Sequence, residues 1–199
     1  MNYGQLKSQV AARLHRTDLT SVIPECIEAA RVRIGADLRS LSNYKAAAVS
    51  GFTSGRATLP ADLGSISALR DADGTPLTFV HVAEVEYNRG TMVYSVDGPD
   101  LIVPQADSGS SYNLTYFAIP AALSNDSDVS DSMNEWPGLW QYATMIEAAI
   151  YLQDWELYDR MVDAYQGTLS GANWTGNLYG PGLRMIDSGR NALAAGSGL

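Results

Sequence analysis

Residues 136–153, WPGLWQYATMIEAAIYLQ, carry apolar side chains on nearly every side of the helix that their composition predicts. Such a helix has no face to offer water. It must lie inside a body or against another subunit. A second helix follows at once: Asp154 supplies an N-cap, and Leu157, Met161 and Ala164 form one stripe between Trp155 and Gln166, with Tyr158 and Tyr165 beside it. Gly167 and the SGAN that follows shortly after end the helical text.

Two N-terminal segments have the spacing to pack against this pair. Tyr3, Leu6, Val10 and Leu14 fall three and four residues apart, which predicts an amphipathic helix over 2–15. From Ser21, the set Ile23, Ile27, Ala30, Ile34, Leu38 and Leu41 keeps helical spacing for about five turns, and Pro24 is tolerated in the first turn.

Between the helical segments the pattern turns to strands. KAAAVSGFTSGRATLP gives two short extended pieces around a Gly/Ser turn, and SISALRDADGTPLTFV alternates about Asp73-Gly74 as a hairpin would. HVAEVEYNRG predicts a short helix ended by Gly90. TMVYSVDGPDLIVPQ repeats the hairpin pattern about Asp97-Gly98, and SSYNLTYFAIP puts Tyr112, Leu114 and Tyr116 on one strand face before Pro120 stops it.

The chain therefore reads as α+β. A helical bundle body combines the N-terminal helix pair (1–42) with an acidic connector and C-terminal helix pair (121–169), a small antiparallel β region (43–120) is inserted, and an extended C-terminal tail (170–199) follows. The tail is glycine-rich but holds Trp174, Leu178, Tyr179, Leu183, Met185 and Ile186, more large apolar groups than a solvated tail needs.

Composition narrows the chemistry. The net charge of −9 is split, with seven Lys/Arg against four Asp/Glu in residues 1–45 and six against eighteen in 46–199. That balance argues against a protein that holds nucleic acid by neutralising phosphates. Cys26 is the one cysteine, which excludes an intrachain disulfide, and no Cys/His spacing offers a zinc site. The first fifteen residues lack an apolar core and cleavage signature, and nowhere do eighteen apolar residues run together, so neither a cleavable export signal nor a membrane span is expected.

Within the acidic run, Ser124, Asp126, Asp128 and Glu135 occupy places in an EF-hand frame, but Val129 stands where a glycine must turn and Ser124 replaces the first carboxylate. The run reads as a solvated connector. His15 and His81 belong to no nucleophile or metal motif, there is no G-x-S-x-G elbow, and the glycines of YGPGLR lack the dinucleotide spacing. No catalytic, cofactor or metal site is expected. The eleven tyrosines fall mostly where periodicity puts them in a core or subunit contact, including Tyr142, Tyr151, Tyr158 and Tyr165. Arg31, Arg33 and Arg39 form the basic cluster beside the second helix, read either as a solvated face or as a charge contact to an acidic neighbouring copy.

The order of segments resembles the head-to-tail adaptor, or head-completion, proteins of tailed bacteriophages. The resemblance is carried by TDLTSVIPECIEAARVRIGADLR (Thr17 to Arg39), LPADLGSISAL (Leu59 to Leu69), TPLTFVHVAEV (Thr75 to Val85), YSVDGPDLIVPQ, YNLTYFAIPAALS and WPGLWQYATMIEAAIYLQDWELYDRMVDAY (Trp136 to Tyr165). It runs from about Tyr3 to Leu169. It implies a homo-oligomeric, dodecameric ring in the virion neck, made in the host cytoplasm and seated beneath the portal. Such a ring meets tail or nozzle proteins and lets DNA pass during ejection without sequence-specific binding. It implies no catalysis, no cofactor and no membrane. On this resemblance Trp174, Leu178, Tyr179, Leu183, Met185 and Ile186 become the expected portal or subunit interface. The competing readings are another phage tail or capsid accessory protein and, from a different class, a small hydrolase built around His15 or His81.

Overall fold

Side-chain caps or a first-turn proline mark where the helices begin. In the computed structural model, which describes residues 1–179 apart from 17, 86 and 89 and only the backbone from 174 onward, α1 spans Tyr3–Leu14. The Asn2 side chain accepts the Gln5 amide at 2.8 Å while the Gln5 side chain accepts the Asn2 amide at 3.0 Å, a reciprocal cap for two otherwise orphaned donors. Helix α2, Ile23–Asp37, starts with Pro24 in its first turn and stops before the predicted Leu41. Leu38 turns extended, and the buried Asn43 Nδ2 donates to the Leu38 carbonyl at 2.9 Å, replacing the bond a further helical turn would have made. Leu41–Asn43 instead forms a single 3₁₀ turn.

The β region contains β1 (Tyr44–Ser50), β2 (Arg56–Thr58), β3 (Leu63–Arg70), β4 (Thr78–Phe79), β5 (Val93–Asp97), β6 (Asp100–Ile102) and β7 (Ser111–Ala118). They form two sheets, ordered β1-β7-β3 and β2-β6-β5-β4, antiparallel except for the parallel β4–β5 pair. The Gly98 turn holds the expected hairpin, pairing Asp97 with Asp100. The alternation of β7 is also as expected, with Tyr112, Leu114 and Tyr116 buried on one face.

Of two further expectations here, one holds in shortened form and one is corrected. The segment about Asp73-Gly74 turns back as expected, with Gly74 at φ +86° and the amides of Asp71 and Leu77 donating to the Thr75 and Leu69 carbonyls at 3.0 and 2.9 Å around the Arg70–Pro76 bridge, and beyond it β4 pairs with β5. Residues 81–90 do not form the expected helix. Their described members make successive tight turns, with amides of Glu84, Tyr87 and Asn88 reaching the carbonyls of His81, Glu84 and Val85 at 2.8, 3.1 and 3.3 Å. So short a segment, with β-branched Val82 and Val85 inside it, does not repay helix nucleation.

After β7 the connector leads to α3 (Asp131–Glu135), α4 (Pro137–Leu152) and α5 (Trp155–Tyr179). As its composition demands, α4 is deeply buried: Leu139, Trp140, Ala143, Ile146 and Ala149 are inaccessible. They share one core with Leu6 and Val10 of α1, Ile27 and Ile34 of α2, Met133 of α3, and Tyr165 and Ala172 of α5. A second core lies between the sheets around Phe52, Leu69, Leu101, Val103, Tyr112 and Leu114.

The largest departure from expectation is α5. The sequence predicts an end near Gln166 and an extended tail from 170, whereas the backbone is helical through Tyr179. Gly167 and Gly171 each cost about 1 kcal/mol in a helix interior. Tertiary contacts offset that cost. Tyr165 Oη donates to Asp37 Oδ2 at 2.9 Å, Ala172 is buried in the core, and Asn173 donates to the Asp37 carbonyl at 3.1 Å while accepting the Arg39 amide at 2.6 Å.

Candidate interaction surfaces

The acidic connector has a structural task. The Tyr3 amide donates to the Asp128 carbonyl at 2.9 Å and the Gly4 amide to that of Asp126 at 3.0 Å, so the loop supplies acceptors for the open N-terminus of α1. Lys7 Nζ pairs with Asp126 Oδ1 at 2.6 Å. The Asp128 carboxylate takes the amides of Asn125 and Ser124 at 2.8 and 2.7 Å, and these bonds hold it below the usual carboxylate range. Of the EF-hand frame, Asp126 and Asp128 are thus engaged in fastening the loop, and Glu135 sits in α3. Among the described residues no three His, Cys, Asp or Glu side chains gather as a metal would require.

The three arginines of the basic cluster all have partners within the chain. Arg31 is forked onto Glu28 and reaches the Pro120 carbonyl at 2.7 Å. Arg33 places Nε and Nη2 at 2.9 and 2.6 Å from Glu147 Oε1, joining α2 to α4. Arg39 lies over the Phe117 ring, 5.3 Å from its centroid. The histidines are similarly local: His15 ends α1 in a left-handed conformation, and His81 Nδ1 accepts the Ala83 amide. Cys26 is buried, and that burial, with Glu147 and Glu25 nearby, pushes its thiol up to about 11.

Aromatic groups remain uncovered in two places. At the α4–α5 corner, Ile150, Tyr151 and Trp155 are 41%, 60% and 61% exposed, and Trp155 meets Tyr158 edge to face at 6.0 Å. In the second sheet, Phe79 is 58% and Tyr87 90% exposed, beside Met92. Tyr151, expected in a core or subunit contact, is thus open to solvent, and so is Trp155. The signal was there: Trp155 falls on the opposite side of α5 from the Leu157–Met161–Ala164 stripe. Of the tail residues singled out by sequence, Trp174, Leu178 and Tyr179 belong to the last turns of α5, with their side chains outside the described residues. Leu183, Met185 and Ile186 lie wholly outside them.

The chain thus combines charged groups fastened internally with aromatic groups left open at the α4–α5 corner and in the second sheet. Residues 1–183 match the family described as SU10 adaptor protein, and the chain belongs to that family. It is a phage adaptor protein with a structural role, and membership implies contacts with other phage head and tail proteins and a place in the virion. No curated protein matches the chain. No helix among the described residues is long and apolar enough to cross a membrane.

Proposed function

We propose that this protein is a head-to-tail adaptor: copies close into a dodecameric ring beneath the portal, join the capsid to tail or nozzle proteins, and form part of the channel through which DNA leaves. The observation that carries the reading is family membership over residues 1–183. The uncovered aromatic groups at the α4–α5 corner and in the second sheet support it, because repeated subunit contacts would cover such surface. The role asks for no catalysis and no cofactor.

In this reading Trp174, Leu178, Tyr179, Leu183, Met185 and Ile186 bury themselves on the portal or on a neighbouring subunit. Arg31, Arg33 and Arg39 contribute to the charge balance between copies, with Arg39 lacking the carboxylate fork that Arg31 and Arg33 possess. Each copy brings a net charge of −9. A channel wall of that sign makes few lasting phosphate contacts, and screening over about 8 Å confines repulsion to the surface nearest the duplex. Cross-linking of intact virions followed by mass spectrometry tests the placement. Links from this chain to itself and to the portal are expected; links confined to the major capsid protein would move it to the capsid surface.

A further inference from the structure

We propose that the aromatic corner between α4 and α5 is the docking site for residues 183–190 of a neighbouring copy. The inference rests on the reading that copies of this chain assemble side by side. The corner combines two features. Ile150, Tyr151 and Trp155 offer apolar area, while exposed Asp154, Glu156 and Asp159 surround Trp155 with negative charge. Asp154 spends one carboxylate oxygen on the Leu157 amide, and Glu156 and Asp159 make no ion pair among the described residues. Of the cations on this side, Arg16, which feels Tyr151 electrostatically, is forked onto Asp18 at 2.9 and 2.6 Å, and Arg160 turns its Nε to the Glu156 carbonyl at 3.4 Å, leaving three carboxylates to one cation around Trp155. The partner that fits therefore brings apolar anchors with cations beside them.

The chain carries such a segment. Leu183, Met185 and Ile186 alternate with Arg184, and Arg190 follows, against the single Asp187 in 180–199. The arginines of α2 are poorer candidates, because Arg31 and Arg33 already hold Glu28 and Glu147. Reach decides between the chain's own corner and a neighbour's. Trp155 and Tyr179 stand at opposite ends of the 25-residue α5, so at 1.5 Å per residue they are separated by about 36 Å. From Tyr179 to Ile186 the fully extended chain spans at most about 25 Å. The apolar anchors cannot return to their own corner. They can reach the corner of another copy, in a head-to-tail contact of the kind that closes rings.

The test titrates the full chain, diluted to single copies, into a fluorescently labelled peptide of residues 180–199. Saturable binding that weakens as salt rises is expected, with at least a tenfold loss on Trp155→Ala and no change on Phe79→Ala in the second sheet. Glu156→Arg should weaken binding, and a peptide carrying Arg184→Glu should restore it. Trp155 and Glu156 are exposed, so neither change disturbs the core. Absence of saturable binding, or equal binding by Trp155→Ala, would overturn the docking. Rings forming on the portal despite that result would leave the adaptor reading standing, so the two failures are distinguishable.

Discussion

Gly64 of β3 stands so close to Gly35 of α2 that a Cβ at position 64 would lie 2.6 Å from the Gly35 carbonyl oxygen. The same added atom would be 2.9 Å from the Phe117 carbonyl, and one at Gly35 would be 2.8 Å from Ile119 Cα. Backbone thus meets backbone where the helical body joins the first sheet. Gly64→Ala is expected to destabilise by about 1–3 kcal/mol, as overpacking does. Gly35→Ala gains about 1 kcal/mol in helix propensity but meets fixed backbone, so it too should destabilise. Gly167→Ala is the contrast, since nothing lies within 4 Å of its added Cβ. It should stabilise by up to about 1 kcal/mol. Denaturant midpoints of the three variants check all three signs.

The Arg33–Glu147 pair joins α2 to α4 in partly buried surroundings. Removing only the acid leaves a half-buried guanidinium without its partner. Glu147→Gln should therefore cost about 1–3 kcal/mol. Adding Arg33→Met should recover part of the loss, because an apolar replacement of both partners removes the unpaired charge. A double-mutant cycle by chemical denaturation measures the difference.

Alkaline pH should loosen both cores. Burial, together with the nearby Asp37 carboxylate, raises the Tyr165 hydroxyl well above its ordinary value of 10.0, and burial with the Asp62 bond pushes Tyr116 up to about 12. In the unfolded chain both ionise near 10.0, so their contribution is complete below that pH and is lost as pH rises toward the folded values. Stability measured between pH 9 and pH 12 is expected to fall, and to fall less steeply in Tyr165→Phe and Tyr116→Phe. Equal slopes in all three proteins would contradict the assignment.

The connector makes a local prediction. Asp128→Ala removes the carboxylate that gathers the Ser124 and Asn125 amides, and with it the loop that presents carbonyls to Tyr3 and Gly4. Hydrogen exchange at those two amides should quicken while exchange in α4 stays slow. Because its folded pKa is depressed, the Asp128 contribution holds above the ordinary value of 3.8 and is lost as acid brings the pH through the folded value. The same quickening should therefore emerge in the parent protein at low pH.

Much of this architecture was legible because period and burial agree. The all-round apolar α4, the Asp154 cap, the Gly98 hairpin and the Tyr112–Leu114–Tyr116 face follow directly from spacing. The misreadings share a cause, which is that long-range contacts outweighed local propensity. Gly167 and Gly171 are helix-breaking signals, overruled by Ala172 in the core and Asn173 on the end of α2. The connector looked merely solvated because its backbone contacts with α1 span more than a hundred residues. The arginine cluster was visible as charge, but its partners Glu147 and Phe117 come from distant elements.

Electron microscopy of the protein mixed with its portal tests the adaptor reading most directly. A closed ring of this chain on the tail-facing end of the portal, with density for neighbouring subunits over the Trp155 corner, is the expected image. Bare portals beside single, unassociated copies would contradict it.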